Sequence, residues 1–122
     1  MNKNTPQLRS SCAIACSLDI FGDKWTLLII RDLLVGTSKY SGFLQSDEKI
    51  TTNILADRLK KLEQHGLISK GLYQENPPRY EYSLTERGFA LRPVLESIIQ
   101  WSNEYLPEVP HYGLACPQAT IE

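Results

Sequence analysis

Residues 50–64 read ITTNILADRLKKLEQ. Leu55, Leu59 and Leu62 repeat at i, i+4 and i+7, so they lie along one face of a helix. Thr52, Asn53, Ala56, Asp57 and Lys60 then share the opposite face, and Thr51 can cap the helix start. These residue types can read base pairs. An asparagine amide pairs with adenine, and an alanine or threonine methyl meets the methyl of thymine. The positive end of the helix at Thr51 suits a phosphate. The competing reading is a solvated polar face of the kind most surface helices carry. Two cations stand nearby in the pattern. Arg79 closes the polar stretch Gln74-Glu75-Asn76-Pro77-Pro78, where it could meet a phosphate or enter a minor groove. Lys39 precedes a short apolar segment and could touch phosphate as well. Either could equally be an ordinary solvated surface cation.

A second candidate chemistry belongs to Cys12. It falls in the first turn of a helix expected from Cys12 to about Ile20, with Ser10 or Ser11 as cap. A thiol at the positive end of a helix dipole is more reactive. The commoner fate of a free cysteine is a small buried hydrophobe. Cys16 lies one turn on, but an i, i+4 pair rarely has disulfide geometry. Cys116, in a tail without clear period, is a possible resolving partner.

The elements around these residues predict their placement. Gly66 ends the Thr51 helix, since glycine takes the left-handed C-cap at little cost. Two β-rich runs follow, Leu67 to Gln74 and Arg79 to Leu84, separated by the turn containing Pro77 and Pro78. Tyr80, Tyr82 and Leu84 alternate with Glu81 and Ser83 as in a half-buried strand. Thr85 can cap a final helix, expected as one piece from Glu86 to Tyr105 and stopped by Pro107. Upstream, Asp23 can cap a helix from Lys24 to Val35 that is apolar nearly all round and therefore central. Gly36 ends it. Lys39-Tyr40 reads as a very short strand, and Ser41 opens a small helix with Phe43 and Leu44. A small helix, a tight connection, a second helix and a hairpin make a winged helix-turn-helix: mainly α with a small β-hairpin (α+β). The last helix is too apolar around its circumference for a monomer surface, which predicts an isologous homodimer.

Bulk properties agree with a single domain over residues 1–122. The 122 residues are 42% hydrophobic and 22% charged, with a net charge of −1. That balance argues mildly against a nucleic-acid partner, but the distribution softens it. From Lys49 to Arg87 seven bases oppose five acids, whereas from Gly88 onward Arg92 alone opposes four acids. No apolar run approaches the ~20 residues needed to span a bilayer, and the polar start is not a signal peptide. A cytoplasmic protein with reduced thiols is expected. The two histidines lack partners at metal-ligand spacing, and no Ser/His/Asp set, paired-carboxylate motif or phosphate loop stands out. No metal, cofactor or enzymatic activity is expected.

Several motifs together carry a family resemblance. They are Cys12 upstream of G-D-K-W (Gly22 to Trp25), L-L-I-I-R-D-L-L (Leu27 to Leu34), and Gly36 followed by Lys39-Tyr40. The match continues with E-x2-G-L-I (Glu63 to Ile68) and N-P-P-R-Y-E-Y-S-L-T-E-R-G (Asn76 to Gly88). On these the chain resembles the HxlR-type winged-helix transcriptional regulators, relatives of the MarR group. The resemblance implies a homodimer built from the first and last helices (12–35 and 86–106), with helix-turn-helix and wing over 38–84. It implies binding to double-stranded operator DNA, with the Thr51 helix as recognition helix. It also implies that Cys12 matches a cysteine that senses oxidants or electrophiles in several members. Ala13 stands where proline is usual, and Asp23 replaces a glycine. The sequence names no inducer. A winged-helix module that binds only protein is the alternative, and strongly salt-dependent DNA binding would argue against it.

Overall fold

The computed structural model describes residues 10–110 and 113–114. Cys116 and His111 lie outside the described residues. Eight elements follow in order: α1 (Ala13–Phe21), α2 (Thr26–Leu34), α3 (Tyr40–Phe43), α4 (Thr52–Gln64), β1 (Ile68–Gln74), β2 (Arg79–Leu84), α5 (Glu86–Phe89) and α6 (Arg92–Tyr105). This is the winged helix-turn-helix arrangement, with α3 and α4 flanking the turn and β1–β2 as the wing. No helix among the described residues is long and apolar enough to cross a membrane.

The core gathers around α2. Ile29, Ile30 and Leu33 meet Phe43 of α3, Ile50 of the turn, Leu55, Leu59 and Leu62 of α4, Leu67 and Ile68 at the hairpin base, and Leu95 of α6. The leucine stripe of α4 is therefore the face turned inward. Both long inner helices end in the same way. Gly66 takes φ +74; its N–H donates to Glu63 O and that of Leu67 to Leu62 O. Gly36 takes φ +109; its N–H donates to Leu33 O and that of Thr37 to Asp32 O. These are paired Schellman bonds, which require a left-handed residue where a side chain would be strained.

The starts differ from expectation in detail. α4 begins as predicted, with Thr51 Oγ1 accepting from the Ile54 N–H at 3.3 Å. α2 begins two residues late, because the Asp23 carboxylate accepts from both the Trp25 and Thr26 N–H groups and so holds Trp25 outside the helix. Neither Ser10 nor Ser11 is the cap of α1. Cys12 itself takes that position with extended backbone, and its N–H donates to Ser10 Oγ at 3.0 Å.

The predicted final helix is two helices. Pro93 sits in the first turn of α6 and offers no N–H to the Phe89 carbonyl. The chain therefore re-starts at Leu91, whose N–H bonds back to Gly88 O, while the Val94 N–H reaches only Leu91 O. In the hairpin, Ile68 pairs with Leu84 and Leu72 with Tyr80, and an irregularity at Tyr73 precedes the Gln74–Arg79 pair. The expected half-buried alternation holds for Tyr82 and Leu84, but Tyr80 is 40% exposed, because the hairpin leaves the core toward its tip. Lys39 forms a single bridge to Glu81, and the Tyr82 N–H donates to Ser38 O at 2.7 Å. The expected short strand is thus Ser38–Lys39, and Tyr40 already belongs to α3.

Thr85 joins the hairpin to the end of α4. Its N–H donates to Leu67 O and its hydroxyl to Gly66 O, while Oγ1 accepts from the Gly88 N–H. Gly88 is buried, and a β-carbon there would overlap the Leu67 carbonyl. Gly88→Ala is expected to destabilise the fold by about 1–3 kcal/mol. Gly71→Ala, whose β-carbon would meet nothing within 4 Å, should be close to neutral. Urea unfolding of the two variants checks this.

Candidate nucleic-acid interface

The outward face of α4 is built by its inward one. With Leu55, Leu59 and Leu62 buried, Thr52, Asn53, Ala56, Asp57 and Lys60 are all exposed. Thr51 is exposed too, with its Oγ1 committed to the cap. The small helix α3 is fixed to the start of α4 through Tyr40, whose hydroxyl donates to the Thr52 carbonyl at 2.8 Å. Phe43 of α3 meets Tyr82 of the wing edge-on at 6.3 Å. Helix, turn and wing therefore form one continuous surface.

Tertiary structure brings Lys39 and Arg79 together. Both line a cleft of about 330 Å³ between α3 and the wing, with Ser41, Tyr73 and Tyr80. Lys39 holds its ammonium 4.5 Å above the Tyr73 ring and Lys70 holds its own 4.6 Å above Tyr80. Such cation–π contacts keep an exposed ammonium in place without neutralising it. Lys70, Tyr73 and Tyr80 were not candidates from the sequence. Alternation marks Tyr80, but nothing local marks the other two.

Asp57 behaves differently from its neighbours on that face. Lys61 first, and Arg58 second, hold its carboxyl below the usual carboxylate range, despite some opposing desolvation. Its charge is answered within the protein. Arg58 in turn donates Nε to Asp23 at 2.9 Å. Asp23 thus caps α2 and ties it to α4. Burial pushes the Asp23 carboxyl up, but hydrogen bonds from Thr26, Arg58 and two backbone N–H groups outweigh it and hold the group far below its ordinary value.

A further ionic cluster lies beneath the turn. Arg31 of α2, buried, donates Nε to Asp32 at 2.9 Å. It also donates Nη1 and Nη2 to the two oxygens of Glu48 at 3.1 and 3.0 Å. Burial pushes the Asp32 carboxyl up against the pull of Arg31, whereas the Arg31 bond holds Glu48 down. The signal available in the sequence was an Arg-Asp pair inside an apolar helix; its partner in the turn was not legible.

Cys12 is exposed at the start of α1 and is not among the residues lining the cleft. Cys16 is half-buried, with its thiol donating to Ser10 O at 3.0 Å. No group of three His, Cys, Asp or Glu side chains among the described residues is placed to hold a metal ion.

Residues 20–110 match the family model described as HxlR-like helix-turn-helix. The Bacillus subtilis HTH-type transcriptional regulator YdeP is 36% identical over 94 residues, covering 77% of this chain and 73% of that protein. Among solved structures, the redox regulator HypR in its reduced form is 29% identical with a TM-score of 0.71, covering 80% of this chain and 98% of that one. The reduced form of the transcriptional regulator YodB from B. subtilis is 27% identical with a TM-score of 0.67, covering 83% and 100%.

The Asp23 geometry predicts an acid dependence. Its folded-state pKa is depressed, so the stabilisation is present above the unfolded value of about 4 and is lost as pH falls below it. Asp23→Asn should therefore flatten the loss of stability on acidification below about pH 4. Thermal unfolding of both chains between neutral pH and the acid limb measures the difference.

Proposed function

We propose, for a chain that belongs to the HxlR-like helix-turn-helix family of transcriptional regulators, that it reads an inverted-repeat operator as a homodimer. α4 enters the major groove, and the wing and the Lys39–Arg79 cleft hold the flanking backbone. One observation carries this reading: the polar face of α4 is exposed, and Tyr40, bonded to the first residue of α4, lines a cleft that presents Lys39 and Arg79 together. Thr52, Asn53 and Ala56 are assigned to base edges. Lys39, Lys60 and Arg79 are assigned to phosphates, as is the Thr51 end of the helix. Asp57, paired with Arg58 and Lys61, orients those cations. The protein acts in the cytoplasm, where the DNA is.

The dimer reading rests on uncovered apolar surface. α1 has no buried residue, and Ile14 and Leu18 are 71% and 51% exposed. On α6, Ile98, Trp101 and Tyr105 are 50–63% exposed, and the Trp101 and Tyr105 rings meet at a tilt with centroids 5.5 Å apart. An apolar area of that extent on two helices suits a two-fold contact with a second copy. Such a dimer would set its two α4 helices roughly 34 Å apart or a multiple of it.

Cys12 is assigned as a redox or electrophile switch. It is exposed, it starts the helix on which the dimer contact is placed, and redox regulators stand among the structures the chain resembles. Modification there would add polarity or bulk beside a packed seam and alter the spacing of the two α4 helices.

Three measurements test these assignments. Asn53→Ala should lose discrimination at one base pair by about 1–3 kcal/mol, whereas Arg79→Ala should weaken all sequences and reduce the salt slope by about one unit. An Asn53→Ala effect that is equal on all sequences would remove the base-reading role. Light scattering at micromolar concentration should show a dimer, and Trp101→Glu a monomer. Titration of operator binding with a mild oxidant should weaken the native chain and spare Cys12→Ser; equal responses would reduce Cys12 to a packing residue.

A further inference from the structure

The turn between α3 and α4 is held by a few backbone bonds and by the Glu48 carboxylate, which accepts from Ser46 and its own N–H as well as from Arg31. Gln45, Asp47, Glu48 and Lys49 are all exposed, and Ile50 is its buried apolar anchor. Its backbone bonds include Ser46 N–H to Phe43 O at 3.4 Å and Lys49 N–H to Ser46 O at 3.1 Å. Lys49 takes φ +59, a left-handed conformation that strains a residue bearing a side chain. These bonds fix the turn's internal shape; its orientation relative to α2 depends on contacts made outside it.

Arg31 is placed to do that. Its side chain is 7% exposed, and it stands mid-way along α2, the helix on which the core is assembled. Its guanidinium reaches the turn as a fork, with one nitrogen on each oxygen of Glu48. A bidentate arginine–carboxylate bond fixes direction as well as distance, because both groups are planar. Asp32 Oδ1 engages Nε at 2.9 Å and also lies 2.8 Å from Nη2, which is thereby shared between Asp32 and Glu48. Only three residues separate Glu48 from the first residue of α4, so a rotation of the turn is passed directly to Thr52 and Asn53.

We propose that Arg31 is a positioning residue for DNA reading: through its forked bond to Glu48 it sets the angle at which the α4 face meets the groove, without touching DNA itself. This rests on the assignment of α4 as the reading helix. A lysine at position 31 would keep the charge beside Asp32 but could not make the fork. Loss of the Glu48 carboxylate would leave Arg31 paired with Asp32, so no buried charge is orphaned and the fold should survive.

The test uses the full chain, a duplex recovered by selection from a random library on the native protein, and a scrambled duplex of the same composition. Glu48→Ala and Arg31→Lys should each reduce the ratio of selected to scrambled affinity by roughly tenfold, about the effect of one mismatched base pair. Glu48→Gln, which keeps one acceptor, should fall between them and the native chain. The double variant should be no worse than the more affected single one, because both remove the same contact. Backbone hydrogen exchange over residues 46–54 should quicken in the variants, with the thermal midpoint little changed. A native ratio and native exchange in Glu48→Ala would overturn the proposal. So would an equal gain of affinity for both duplexes in Glu48→Ala and Glu48→Gln, since that is loss of negative charge alone. If the native chain fails to discriminate the two duplexes, the reading of α4 falls and the proposal with it; unchanged discrimination in the variants alone removes only the role of Arg31.

Discussion

Where α4 ends, three elements share a handful of backbone atoms. The Leu62 carbonyl takes the Leu67 N–H, the Leu67 carbonyl takes the Thr85 N–H, and the Gly66 carbonyl takes the Thr85 hydroxyl. α4, the base of the wing and the start of α5 are thereby locked to one another within two peptide units. A wing can hold DNA beside a recognition helix only if the angle between them is constant. That constancy comes from this junction, with Leu67 and Ile68 buried beneath it. Gly66 and Gly88 supply what the junction demands of the chain, a left-handed turn at one and a close backbone approach at the other.

The ion pairs around α2 serve the same end by a different route. α2 is tied to α4 by Asp23 and Arg58, and to the turn before α4 by Arg31 and Glu48. In the buried pairs, those of Arg31, desolvation offsets much of the attraction. Their directional hydrogen bonds instead restrict how α4 can pivot over an apolar contact, which by itself resists separation more than rotation. The leucine stripe holds α4 down, and the ion pairs with the Tyr40–Thr52 bond orient it.

The outer surface divides by chemistry. On the face of α4 and the wing, cations are displayed, two of them steadied over tyrosine rings. On α1 and α6, large apolar side chains are left uncovered. Of the acids beyond Gly88, Glu96 and Glu104 stand on α6 and Glu108 just after it, not on α4 or the wing, so the net charge of −1 says little about the charge of the first surface. Whole-chain charge averages over two faces of different composition.

Much of the fold was legible in the sequence because its signals are local. The Leu55, Leu59, Leu62 period, the Thr51 and Thr85 caps, the glycines at 36 and 66 and the paired β runs each express a preference of a few neighbouring residues. Those segments formed close to their expected bounds. The exposed face of α4 followed from the same period, since burying one side of a helix leaves the other outside. The final helix was misread because periodicity continues through Pro93, while the missing N–H that interrupts it is a property of one residue. What only the tertiary structure decided were meetings between distant residues: Arg31 with Glu48, Asp23 with Arg58, Lys39 with Tyr73 and Arg79. Sequence spacing carries no information on such pairs, because their proximity is set by how helices pack around α2 and how far the hairpin extends from the core. The residue types proposed to contact DNA are written in the chain; that Lys39 and Arg79 line one cleft is a consequence of packing.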